Sequence, residues 1–464
     1  MMTELFQRES SAIIKPDDKA PLMSVIIISY NNTNFLHHAV KSVLAQNYKN
    51  IELTISDDAT VSCTIDDIAH QFCLATADLT FEEKHPKVAG IDRNWKKHKC
   101  VDTNTNERFQ NALEEWEQDL QGGYEQAAIE IVKDSFPNIR KVEFLRNKEN
   151  LGTVKHLKSL KKNAAGKYVM FLAADDMLHD SYVISDLVTY FETLPEDAYV
   201  LSSQCGMYDE NLDKLNYYAV NEELKDIITK STPEELFAEL TDWCIIPAAG
   251  TIYKKDAFEV FGDLDDQYHL IEDWTYFLKL TRSGGKVYYL DRLTYMHRDG
   301  GISHGNNSGG NLAYKYYLED SILLTQQEIL PYLNQITSQQ KKRALKRYRD
   351  TRREYGRMFM FPEMNVVGKL FFFLRNGYYY IPKLLSGLLA FFDYRAKWCL
   401  VAGTGALFAS FLLSLAPTQG DSQGMLYYLF GLMGLALVSL ALITKGLFIS
   451  SRAVKAVKSL LCKL

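Results

Sequence analysis

Three short stretches of this 464-residue chain place an aromatic or paired acids directly after apolar runs that read as strands. They are Ser29-Tyr30-Asn31 after MSVIII, Asp57-Asp58 after IELTIS, and Asp175-Asp176 closing YVMFLAADD. In open parallel sheets the ligand crevice lies beyond the carboxyl ends of the strands, so all three are expected on one edge. Acids and an aromatic there suit a nucleotide. Tyr30 can stack on a base, one Asp can accept from a ring N–H or ribose hydroxyls, and another can hold a hard cation. Mg²⁺ or Mn²⁺ takes oxygen ligands, commonly one or two carboxylates plus substrate phosphates, and it reverses the repulsion between bare carboxylates and a diphosphate. On these residues alone the alternatives stay open: Tyr30 as a strand-end tyrosine, Asp57 and Asp58 as turn caps, Asp175 and Asp176 as N-cap and first-turn acids of a following helix. After the first strand the chain reads SYNNTN, neither GxGxxG nor GxxxxGK[ST], so a dehydrogenase or a kinase lacks its phosphate loop.

The elements that must position these residues are legible in the hydrophobic pattern. MSVIIISY is a near-continuous apolar run, as expected of a strand buried on both faces. Phe35, Leu36, Ala39, Val40, Val43 and Leu44 recur at helical spacing, and IELTIS (51–56) returns to a strand. This βαβ unit is followed by strands at 142–145 and 168–172 with a helix from about Thr153 between them, which predicts an α/β fold around a mostly parallel sheet. Asp273 opens an amphipathic helix whose Trp274, Phe277 and Leu278 face inward and which the Gly284-Gly285 pair ends. The polar stretch 66–121 interrupts the rhythm and reads as an insertion.

Composition narrows the classes further. A net charge of −6 and a pI near 6.0 argue against wholesale polyanion binding, so no nucleic-acid partner is expected. Seven scattered cysteines without a CxxC pair suggest neither a disulfide framework nor a zinc module, and imply a reducing compartment. The charged N-terminal extension, 1–22, does not read as a secretory signal.

The C-terminal end departs from the rest. Residues 398–416 and 425–444 are uncharged runs of about twenty residues, which at about 1.5 Å per residue match a bilayer core of about 30 Å. Lys383, Arg395 and Lys397 precede the pair, and Lys445, Arg452, Lys455, Lys458 and Lys463 follow it. The positive-inside bias therefore predicts a two-helix transmembrane hairpin (398–449) with the catalytic domain, both termini and a basic tail (450–464) in the cytoplasm. The preceding region, 306–397, is expected to be helical, its aromatic and basic latter part lying in the membrane interface against lipid.

MSVIIISYNN, SVLAQNYKNIEL, SDD, NKENLGTVKHL, YVMFLAADDM, GTIYKKDAF, LIEDWTYFLKL and MHRDGGIS together resemble family 2 glycosyltransferases of the GT-A fold, in order and approximate spacing over about 23–305. The resemblance implies that Tyr30 and Asp58, with Asp57 beside them, contact the nucleotide base. It implies Asp175 near the ribose, Asp176 on Mn²⁺ or Mg²⁺, and Asp273 as catalytic base. Lys155 and His156, and His297 with Arg298, are the candidate contacts of the leaving group.

The activity so implied is metal-dependent, inverting transfer of a single hexose-type sugar. The donor is a nucleotide-diphosphate sugar, a UDP-sugar before others, and the acceptor is lipid-linked, as in bacterial envelope or capsular polysaccharide synthesis. The alternatives are transfer to polyprenyl phosphate and a catalytically inactive scaffold. Ala173 departs from the family, many members of which carry an acid there, and that departure bears on metal binding.

Overall fold

The computed structural model describes residues 20–61, 63–84, 124–299 and 311–369, with 371, 372 and 376. The chain divides into two compact units, Met1–Phe359 and Met360–Leu464. In the second, the described residues include one 3₁₀ turn, Phe361–Glu363. The predicted spans at 398–416 and 425–444 lie outside the described residues, among which no helix is long and apolar enough to cross a membrane.

The first unit opens as expected: β1 (Met23–Ser29), α1 (Leu36–Leu44) and β2 (Ile51–Asp57) form a parallel βαβ unit. The next element was not legible. The stretch from residue 66, read as a polar insertion, begins inside helix α2 (Ile65–Lys84), whose Ile68, Ala69, Phe72, Cys73 and Ala75 are fully buried among charged neighbours. Residues 85–123 of that stretch lie outside the described ones. The chain continues through α3 (Tyr124–Ser135), β3 (Ile139–Arg146), α4 (Thr153–Lys161), β4 (Tyr168–Ala173), β5 (Met177–Leu178) and α5 (Val183–Phe191). Then follow β6 (Val200–Tyr208), β7 (Leu215–Tyr218), α6 (Glu222–Lys230), α7 (Pro233–Leu240), β8 (Ile252–Lys254), α8 (Ala257–Val260), α9 (Glu272–Arg282), β9 (Val287–Arg298), α10 (Leu312–Leu324) and α11 (Ser338–Tyr355).

These strands form one sheet in the order β3-β2-β1-β4-β8-β6-β9-β5, with β7 against β6. It is mixed rather than mostly parallel. The first four strands run parallel, β8 is antiparallel to both β4 and β6, β9 is parallel to β6, and β5 is antiparallel to β9. The parallel half puts the ends of β1, β2 and β4 side by side, Ser29 level with Asp57 and Ile28 level with Ala173.

Both faces of this half are covered. Val25 and Ile27 of β1 join the core under α1, α2 and α5, while Ile26 packs on the opposite face with Leu160 of α4. That double burial is why the first strand is apolar at nearly every position. A second core gathers α7, α9 and the start of α11 around Phe237, Phe277 and Ala344.

Candidate active site

At the end of β1, Tyr30 is 39% exposed, an aromatic open to a ligand. Asn31 follows in the left-handed region (φ 56°), a conformation asparagine tolerates better than most residues, and its N–H donates to Thr60 Oγ1 at 2.8 Å.

Asp57 and Asp58 both meet protein donors. Asp57 is fully buried. Its carboxylate accepts from the Thr60 N–H at 2.7 Å and the Thr60 hydroxyl at 2.6 Å, with the Arg146 guanidinium 4.0 Å away. In this structure that carboxylate braces the loop after β2. Asp58 accepts from Asn147 Nδ2 at 2.7 Å and from the N–H groups of Leu151 and Gly152, both at 2.9 Å. It thus supplies negative charge at the N-terminus of α4, where the backbone amides and the helix dipole favour it. Gly152 adopts φ 80° at that entry. A carboxylate has about four acceptor sites, so one on Asp58 remains for a ligand.

Two candidate cations from the start of α4 separate in space. Lys155 is exposed and has solvent around it. His156 is buried beneath the acids with its Nε2 2.7 Å from Ser56 Oγ, and burial lowers its pKa although Asp58 and Asp57 oppose that shift. It is a neutral packing group, not a leaving-group contact.

The Asp175-Asp176 pair follows β4 and is followed directly by β5, so it caps no helix; α5 starts only at Val183. Asp175 is half-buried and accepts from Asn32 Nδ2 at 3.0 Å. Asp176, 1% exposed, accepts from the Arg298 N–H at 2.8 Å and faces His297 Nδ1 at 2.9 Å. Burial first, and then the charge of Asp176, raise the pKa of Asp175. Burial also works against charge on His297, yet the hydrogen bond to Asp176 and the charges of Asp176, Asp175 and Asp299 outweigh it and hold that imidazole above its ordinary value. The pair is a concentration of negative charge that attracts cations.

Arg298 is not a free cation for the leaving group. It is 4% exposed; its Nε donates to the Asp175 carbonyl at 2.7 Å, another nitrogen donates to the Glu210 carbonyl, and its guanidinium lies 4.1 Å over the Phe35 ring. It clamps the acid segment to the loop after β1. At Ala173, the position of the departure noted in the sequence, the backbone N–H donates to the buried Tyr295 hydroxyl at 3.1 Å.

Asp273 lies in the first turn of α9, as the sequence predicts, with Trp274, Phe277 and Leu278 buried below and the left-handed Gly284 (φ 84°) past the end. Its Oδ1 accepts from the Trp274 N–H at 2.6 Å. Burial raises its pKa against the pull of the helix amides, and its neighbour Glu272 is pushed up to about 8 by burial and by the charge of Asp273. A carboxylate whose proton affinity is raised toward neutrality is better matched to general-base work.

Sequence reasoning missed what holds this helix in place. Asp320, in the middle of α10 and 1% exposed, accepts from the N–H groups of His269, Leu270 and Ile271 at 2.8, 2.7 and 3.2 Å, the turn leading into α9. The His269 carbonyl in turn accepts from the Val154 N–H of α4. Asp58 and Asp320 thus hold the two helix entries near each other, and nothing in the local sequence of either signals it.

Among the described residues no group of three or more His, Cys, Asp or Glu side chains is set to hold a metal. The donors present are the hard oxygens of Asp175 and Asp176, with negative charge left over, as the raised Asp175 carboxyl indicates. That set fits Mg²⁺ or Mn²⁺ held by one or two carboxylates with diphosphate and water completing the shell, and it does not fit a closed protein cage.

The fold is an α/β sheet with acids and an exposed tyrosine at strand ends and a partly buried acid at a helix start. The sequence profile of glycosyl transferase family 2 matches residues 24–105 and 122–262, and the chain belongs to that family. Asp273, His297 and Arg298 lie beyond the matched stretch. Uncharacterized glycosyltransferases of Rickettsia typhi and Rickettsia prowazekii are each 44% identical over 45 residues, 10% of this chain and 14% of theirs. Among solved structures, Staphylococcus aureus TarS with UDP-GlcNAc is 13% identical over 75% of this chain and 77% of that one, with a TM-score of 0.39. The chain spans 43% of a longer TarS structure. The Pyrobaculum calidifontis mannosyltransferase PcManGT, in complex with GDP-Man and Mn²⁺, is 11% identical over 82% and 85% of the two chains, with a TM-score of 0.38. Neither likeness is close enough to align one residue with another.

Proposed function

We propose that the protein transfers one sugar, with inversion, from a nucleotide-diphosphate sugar to a lipid-linked saccharide at the cytoplasmic face of a membrane, in envelope or capsular polysaccharide synthesis. The observation that carries this reading is the Asp175-Asp176 pair, under-neutralised at the ends of the parallel strands with open Tyr30 across from it. Tyr30 stacks on the base, the remaining acceptor site of Asp58 takes a base or ribose donor, and Asp175 lies toward the ribose.

A divalent cation, when bound, is held by Asp175 and Asp176 and offsets charge on the departing diphosphate. Exposed Lys155, and His297 when protonated, add positive potential. Asp273 accepts the proton of the acceptor hydroxyl as that oxygen attacks C1 of the donor sugar. The C1–O bond to the diphosphate breaks on the opposite face, and the nucleoside diphosphate leaves with that electron pair. The two uncharged runs at 398–416 and 425–444 support membrane anchoring and hence a lipid acceptor.

The test is nucleotide release from UDP-, GDP- and dTDP-sugars with native lipid extract, with and without Mn²⁺. One donor should be consumed only when Mn²⁺ and lipid are both present. Asp273→Asn should stop transfer to a saccharide. Full turnover of Asp273→Asn on polyprenyl phosphate assigns that acceptor instead, and failure of every donor to bind in calorimetry leaves the scaffold reading.

A further inference from the structure

Trp243 stands in the turn after α7 with 61% of its surface exposed. Single exposed apolar side chains are common and need no partner, but this one is displayed by a turn that two helices hold in place. Arg343 of α11 pairs with Glu239 at 3.3 Å and Asp242 at 3.0 Å, and Arg347 of the same helix reaches the Thr241 carbonyl at 3.5 Å. From α9, Trp274 Nε1 donates to the Leu240 carbonyl at 2.8 Å. The Trp243 ring lies against the Trp274 ring, centroids 6.3 Å apart and tilted by 52°. A loose loop would fold such a ring back onto apolar surface, whereas a braced turn keeps it open.

The turn lies beside the proposed base. Trp274 follows Asp273 directly, and Cys244 follows Trp243. The Cys244 thiol is pushed well up by burial and then by the charge of Asp273, with Glu272 adding to it. A second exposed aromatic, Tyr317 of α10 at 36%, feels the same carboxylate. Burial raises its hydroxyl, and Asp273 adds to that against Ser321 and Arg347. Two open rings from separate elements thus lie near one acid. A general base must be within hydrogen-bond reach of the hydroxyl it activates, so the group bearing that hydroxyl has to rest among these aromatics. A pyranose with axial C–H bonds on one face is apolar on that face and polar at its rim, a shape that an open indole accepts through C–H contacts. A polyprenyl phosphate brings an anion to the same place and has no ring to stack.

We propose that Trp243 is the acceptor platform: the C–H face of a pyranose stacks on its indole, and the hydroxyl to be glycosylated turns to Asp273. The proposal rests on the transfer reading above and narrows it, since it requires a saccharide at the acceptor end.

The experiment follows nucleotide release by the full chain as native lipid extract is raised at saturating donor and Mn²⁺, with nucleotide affinity measured by calorimetry. Trp243→Ala should raise the extract needed for half-maximal rate about tenfold, the upper end of what an aromatic contact contributes. Its nucleotide affinity should match wild type, because the lost interaction belongs to the acceptor. Trp243→Tyr keeps a flat face and should stay within about threefold of wild type. Trp243→Leu keeps apolar bulk without that face and should resemble Trp243→Ala. Unchanged half-saturation in Trp243→Ala overturns the platform and leaves the transferase standing, and weakened nucleotide binding in that variant overturns the acceptor assignment. Trp243→Leu as good as Trp243→Tyr overturns the stacking, and a rise of the same size on polyprenyl phosphate overturns the saccharide. A wild-type chain that releases no nucleotide from any donor overturns the transfer reading itself, and the acceptor role of Trp243 with it.

Discussion

Two pairs of adjacent aspartates end parallel strands in this chain, and they have opposite surroundings. Asp57 and Asp58 meet protein donors at every turn: a hydroxyl, a side-chain amide and backbone N–H groups from two loops. The histidine beneath them, His156, is held neutral. Asp175 and Asp176 have fewer donors, a raised carboxyl and a histidine, His297, held toward its charged form. The first pair is satisfied by the fold save for one acceptor site of Asp58, and it holds the loop and the α4 entry together. The second is left in electrostatic debt, which a ligand can relieve. The number of donors supplied by the rest of the chain separates a brace from a site, and the dipeptide itself does not.

The sharpest way to break this comparison is to remove one acid from each side and read activity and stability separately. Asp176→Ala and Asp273→Asn should each lower sugar transfer by about 10²–10⁴-fold, the range a positioned base or charge contributes; in Asp176→Ala the relief of repulsion with Asp175 offsets part of the lost bond to the Arg298 N–H, so its stability loss should be the smaller of the two pairs. Asp58→Ala should do the reverse in emphasis. It strands the Leu151 N–H and the Asn147 side-chain amide at the entry of α4, while the Gly152 N–H keeps Asn150 Oδ1, so chemical denaturation should show a loss of about 2–4 kcal/mol. Equal stability losses in Asp58→Ala and Asp176→Ala would erase the distinction.

A smaller effect carries the opposite sign. Asp175→Asn removes a carboxylate penalised by burial and by its neighbour, and asparagine can still accept from Asn32. Urea unfolding should therefore place this variant at or above wild-type stability, by up to about 1 kcal/mol, while transfer falls.

The smallest effect expected is a pH slope under the braced pair. The folded pKa of His156 lies below its ordinary value, so its contribution to stability is present above the unfolded pKa of about 6.5 and is lost as pH falls below it. His156→Gln does not titrate, so its unfolding free energy should depend less on pH below about 6.5 than that of wild type. An unchanged slope would mean that the ring is not held neutral.

Much of the parallel half was legible because burial on both faces of β1, β2 and β4 leaves long apolar runs. The placement of the candidate residues at strand ends followed from that frame, and the placement of Asp273 at a helix start from the inward stripe of Trp274, Phe277 and Leu278. Three things were not legible. Helix α2 hides its buried stripe, Ile68, Phe72 and Ala75, among acids and polar residues. Arg298 and His156 are cations by type, and only packing shows that one is a clamp and the other a neutral filler. Asp320 acts on a turn fifty residues earlier, a contact made by the fold alone.

The central claim is that Asp175 and Asp176 are the acids that meet the cation and diphosphate. Calorimetric titration of UDP and GDP into wild type and Asp176→Ala, with Mn²⁺ and with chelator, tests it most directly. Mn²⁺ should strengthen nucleotide binding in wild type, and Asp176→Ala should bind with and without Mn²⁺ alike. An Asp176→Ala protein whose nucleotide affinity still rises with Mn²⁺ to the wild-type value would contradict it.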